Sequence, residues 1–121
     1  MSLSVNAYEI GQSPYKSLPT PPREPHNELF GFESWRSVVW GCAYVKDLGC
    51  TLLPTLNGFD LMAQDEHLDQ LEAELKLLKD HLPELSAATQ RDADAIAFRI
   101  GNALAAVELA RQHGNAGVCI S

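Results

Sequence analysis

The residues closest to a metal-binding pattern are Asp65, His67 and Asp69. Two carboxylates one helical turn apart share a face, but an imidazole midway between them points elsewhere, so a helix alone does not converge the three on one ion. The other histidines, His26, His81 and His113, are scattered, and Cys119 approaches His113 only if Gly114 and Gly117 turn the chain back. Nucleophilic catalysis needs a serine or cysteine beside a base and an oxyanion hole, and no GxSxG signature occurs. Cys42 belongs to an apolar stripe and reads as a core thiol. Cys50 follows Gly49, with only Lys46 and Asp47 nearby to tune it. The glycines at 11, 31, 41, 49 and 58 stand singly, and Gly114 and Gly117 follow a helix, whose negative dipole end repels anions. The sequence therefore predicts no catalytic residue, no metal site and no cofactor, and an enzyme is the less favoured class.

What remains is charge. The chain carries a net charge of -7 at neutral pH with a pI near 4.9, the reverse of the basic footprint that phosphate neutralisation needs. No nucleic-acid partner is expected. Residues 60–84 hold eight acids (Asp60, Asp65, Glu66, Asp69, Glu72, Glu74, Asp80 and Glu84) against Lys76 and Lys79, a net -6. Exposed acids in a row are usually a solvated face, yet such a stripe also steers cationic partners. Trp35 and Arg36 supply a second candidate, since aromatic and arginine side chains are favoured at interface centres; at helical spacing with Val38 and Val39, Trp35 reads first as core.

These residues must be positioned by a small set of elements. Leu3, Val5 and Ala7 alternate with polar residues and predict a half-buried N-terminal strand. Residues 11–32 lack periodicity and contain five of the seven prolines, which predicts a proline-rich arm; its two PxxP matches read as a stiff connector. Ser34 caps a predicted helix running to Leu48 that is apolar almost all round. Asn57-Gly58 predicts a two-residue hairpin between residues 51–56 and 59–62, with Pro54 placing the first strand at an edge. Leu68, Leu71, Leu75, Leu78 and Leu82 predict an amphipathic helix over 66–82, stopped by Pro83. A second long helix is predicted from Thr89 through Ile96, Ile100, Leu104 and Val107 to His113, with Asp92 in a capping-box-like place. Residues 117–120 close the sheet as a C-terminal strand.

The predicted fold is α+β: one domain over 1–121, with a small, mostly antiparallel sheet made of the N-terminal strand, the Asn-Gly hairpin and the C-terminal strand, and about three helices packed on one face. No apolar run is long enough to span a bilayer, nothing at the N-terminus resembles a secretory signal, and three cysteines without a CxxC pair fit reduced thiols, so a cytoplasmic setting without membrane contact is expected. The leading functional expectation is a non-catalytic interaction protein of a bacterial-type cytosol. In this reading an immunity- or inhibitor-like domain binds a basic protein through Asp65, Glu66, Asp69 and Glu72, with Trp35 and Arg36 as further contact residues. The alternative is a small enzyme or ligand-binding domain with a site under the 11–32 arm using Tyr8, Tyr15, His26 or Arg36. A homodimer, with the leucine stripe or the Trp35 helix completing its core across the interface, is the third.

Overall fold

The computed structural model describes residues 2–11, 16–18 and 25–121. Tyr15 and the prolines at 14, 19, 21 and 22 lie outside them. The sheet has four antiparallel strands, β1 (Ser2–Glu9), β2 (Leu29–Phe32), β3 (Leu61–Ala63) and β4 (Ala116–Ile120), in the order β2-β1-β4-β3. The helices are α1 (Ala43–Asp47), α2 (Glu66–Asp80), α3 (Leu82–Thr89) and α4 (Ala93–His113).

The alternation in β1 works as the sequence predicts. Leu3, Val5 and Ala7 are buried and join Val118 and Ile120 of β4, Ile96, Ile100 and Val107 of α4, and Leu71, Leu75 and Leu78 of α2 in one apolar core. Each buried Val, Leu or Ile side chain contributes roughly 1.5–3 kcal/mol through its removal from water. The leucine stripe of α2 is thereby consumed by packing. On the other face of the sheet Tyr8 lies across Gly117, where an added Cβ would stand 2.8 Å from the Tyr8 hydroxyl and 2.5 Å from the Ala63 carbonyl. Only glycine fits that crossing.

Several local elements differ from the sequence reading. Residues 34–48 do not form one regular helix: a π-helical turn over Arg36–Trp40 breaks at Gly41, and α1 follows. An apolar surface on all sides cannot be buried by one straight stripe, and the wider turn sends consecutive Val39 and Trp40 into the core. Trp40 then stacks on Phe30, ring centroids 4.2 Å apart, and its indole N–H donates to the Phe30 carbonyl.

The Asn-Gly hairpin does not form. Leu53–Leu56 is a 3₁₀ helix, and Asn57-Gly58 turns the chain out of it into β3, which pairs with β4. The cause is Glu74, a buried carboxylate on α2 that accepts from the backbone N–H groups of Thr51, Leu52 and Leu53. A carboxylate satisfying the first amides of a helix outweighs the turn preference of Asn-Gly.

The arm is shorter than 11–32, because Leu29–Phe32 is a strand and Lys16–Leu18 hydrogen-bond to Ala7 and Glu9 of β1. Pro83 stands in the first turn of α3, where proline costs no hydrogen bond, and the break from α2 falls at His81. Asp92, not Thr89, caps α4: its carboxylate accepts from the Ala95 N–H at 3.0 Å.

Candidate interaction surface

β3 is an edge strand, and its register decides which way its backbone faces. Ser4 and Ser121 exchange both backbone hydrogen bonds, which makes every second β1–β4 pair a bonded one and turns the Cys119 amide toward β1. Ile120 and Val118 therefore bond to Leu61 and Ala63, and the N–H and C=O of Met62 point away from the sheet. Among the described residues no side chain or neighbouring segment hydrogen-bonds to these outward groups.

Two large apolar side chains stand beside that edge, Phe59 at 73% exposure and Met62 at 49%. Acids border them: Asp60 precedes the strand, and Asp65 and Glu66, both exposed, follow it. An open depression of about 460 Å³, lined by Glu33, Arg36, Gly58, Phe59 and Asp60, lies at the start of the strand.

Arg36 builds this depression. Its guanidinium donates to the carbonyls of Leu56 at 3.0 Å and Phe59 at 2.8 Å, to Asp60 at 2.8 Å, and to Glu33. The hydrogen bond to Asp60, with Glu33 adding to it, raises the Arg36 pKa above its ordinary value, so the side chain stays charged. It fastens residues 56–60 onto the π-helical turn.

Asp65 has φ 55° and ψ -124°, the second place of a turn closed by the His67 N–H on the Gln64 carbonyl at 3.1 Å. That place is ordinarily glycine, and an aspartate there carries strain of order 1–3 kcal/mol. Gln64 also accepts from the Tyr8 hydroxyl at 2.8 Å.

Apart from the buried Glu74, the acids of α2 and its N-cap are either paired with basic side chains or free of ion pairs. Asp69 and Glu72 share Arg111 of α4, at 2.8 and 3.1 Å, and Lys76 lies 3.8 Å from Glu72. The hydrogen bond that Arg111 donates to Asp69 is the main reason its pKa is raised. These two carboxylates are largely neutralised by the chain itself. No ion pair involving Asp65, Glu66 or Asp80 forms among the described residues, so uncompensated charge remains at both ends of the helix, and Asp65 and Glu66 put it beside β3.

Trp35 is only 4% exposed; it lies edge-on to Phe32, beside Trp40 and under the Arg99 guanidinium at 5.5 Å, and belongs to the core. The residues of the ligand-site alternative contact different elements. Tyr8 meets Gln64 and Gly117, His26 packs on Gly101 of α4, and Arg36 holds residues 56–60. Among the described residues His26 Nδ1 and Arg99 Nε are buried without a hydrogen-bond partner. Among the described residues no three His, Cys, Asp or Glu side chains are grouped to hold a metal ion, and no helix is long and apolar enough to cross a membrane.

The sequence reading did not single out Phe59 and Met62 as surface residues. In Leu61-Met62-Ala63 the period of two predicts that one side faces out, but which side depends on the pairing with β4. The chain matches no protein-family model, no curated protein and no solved structure.

Proposed function

We propose that this chain is a non-catalytic protein-interaction protein, immunity- or inhibitor-like, whose partner is cationic. The observation that carries the reading is the exposed apolar pair Phe59 and Met62 beside an unpaired strand edge, bordered by Asp60, Asp65 and Glu66. An apolar centre with a charged rim is the usual anatomy of a specific interface. The uncompensated acids Asp65 and Glu66 at its rim would speed association with a basic surface and make it salt-sensitive. The contact surface is thus moved from the whole polar face of α2 to its first turn and the strand before it, because Asp69 and Glu72 are engaged by Arg111.

The test is capture of a partner from the native host by the wild-type protein and by a Asp65→Lys/Glu66→Lys double variant. The expected partner is basic, binds saturably, is released by added salt, and is lost by the double variant. Equal recovery of the same partner by both proteins would sink the reading.

A further inference from the structure

We infer that the β3 edge binds its partner by strand addition: an extended segment carrying alternate Lys or Arg residues pairs with Asp60–Met62 as a fifth strand. This rests on the proposed interaction role and adds the mode of binding and the chemistry of the segment bound. Main-chain hydrogen bonds give such pairing its affinity, and the neighbouring side chains give it specificity.

Three observations point the same way. The outward N–H and C=O of Met62 are unpaired among the described residues. Within its three residues the strand carries no proline, lysine or bulge to keep another strand from pairing. The carboxylates of Asp65 and Glu66, free of ion pairs among the described residues, follow the strand, so a segment lying along it meets negative charge at that end, while Asp60 at the other end is held by Arg36.

Charge also selects between occupants. If a second copy paired antiparallel about Met62, Asp60 of each chain would face Gln64 of the other, next to Asp65 and Glu66. Like charges brought together across strands are destabilising. A basic segment turns the same geometry into attraction at Asp65 and Glu66, which form no ion pair among the described residues.

The probe is an end-blocked peptide of alternating lysine and valine, titrated into isotope-labelled full-length protein while amide shifts and hydrogen exchange at Met62 are followed. Two N-methylated forms of the peptide carry the methyl groups on one or the other strand edge. Strand addition predicts saturable binding that weakens with salt, slowed exchange of the Met62 amide, and roughly tenfold weaker binding for one methylated form, corresponding to the loss of one or two hydrogen bonds. The other form should bind as the parent does, and an alternating glutamate–valine peptide should not bind.

Equal binding by both methylated forms, with loss of binding in the Asp65→Lys/Glu66→Lys variant, would overturn strand addition and leave the interaction reading standing. No binding of the lysine peptide at any salt, together with failure of the capture experiment, would overturn both. A Met62 amide already protected without peptide, accompanied by dimers in light scattering, would overturn the basic segment in favour of a second copy.

Discussion

The two edges of the sheet expose similar side chains and treat their backbones differently. At β2, Leu29 and Phe32 are 45% and 56% exposed, comparable to Met62 at the β3 edge. Yet the Leu29 N–H is taken by Asn27 Oδ1 at 2.9 Å and its carbonyl by Asn102 Nδ2 at 2.7 Å. Asn102 is fully buried on α4 and also holds the Asn27 N–H and Oδ1, so α4 seals that edge with one amide side chain. The β3 edge has its support behind it: Glu74 and Arg36 hold residues 51–60, and nothing among the described residues hydrogen-bonds to the front. Exposed apolar side chains alone do not mark an interface. An exposed apolar strand whose backbone is still unpaired is a stronger sign.

The largest effect is expected from the support of the open edge. Glu74→Ala strips the charged acceptor from three backbone N–H groups, one of them buried, and should lower unfolding free energy by about 3 kcal/mol in urea titrations. Residues 51–63 should then exchange their amides faster while β1 and β2 stay protected; uniform loosening would mean that the two edges are not separately supported. The same carboxylate acts on Cys50. Burial first, and then the Glu74 charge, push that thiol from 9.0 up to about 11. The folded state thus holds its proton more tightly than the unfolded chain does. This contribution to stability is complete below pH 9.0 and disappears as pH rises through about 11. Comparing wild type with Cys50→Ala across that window isolates the effect: the variant should lose less stability with rising pH, and equal losses would refute the assignment.

At the closed edge, Asn102→Ala leaves the Leu29 carbonyl and the Asn27 amide without their partner and should cost about 2 kcal/mol. Met62→Ala on the open edge should cost under about 1 kcal/mol, because a half-exposed side chain loses little packing. Asn102→Ala should also make β2 stickier, detectable as self-association in sedimentation. If the monomer persists while Leu29 exchanges freely, then side-chain sealing is not what keeps that edge from pairing.

Much of the frame was legible in the sequence because it follows simple periods. Leu3, Val5 and Ala7 on a period of two, and the α2 leucines on a period near 3.6, place their faces wherever the neighbours fall. At the predicted hairpin a distant polar group decided the local structure. Asn57-Gly58 carries a hairpin signal, but Glu74, seventeen residues on, supplies an acceptor that the turn preference does not include. A trace of it was visible, since Glu74 lies three residues after Leu71 and four before Leu78, on the apolar side of its helix. The sequence located the charge within residues 60–84, but not its division between carboxylates paired with Arg111 or Arg36 and those without an ion pair, Asp65 and Glu66 among them, which depends on tertiary packing. Trp35 and Arg36 illustrate the same limit. Their types suit an interface, and only tertiary packing puts one in the core and the other to work fastening a loop.

The smallest expected change concerns the strained residue where the open edge meets α2. Glycine accepts φ 55° and ψ -124° without a Cβ penalty, so Asp65→Gly should relieve strain and raise stability by about 1 kcal/mol, offset in part by the greater freedom of glycine in the unfolded chain. Asp65→Asn keeps the strain and removes the charge, and should leave stability within about 0.5 kcal/mol of wild type. If the carboxylate serves a cationic partner, both variants bind the lysine–valine peptide more weakly although one is more stable and the other is not. That separation of stability from binding is the informative outcome. Binding unchanged in Asp65→Asn would remove Asp65 from the rim and leave Asp60 and Glu66 to account for any charge dependence at the β3 edge.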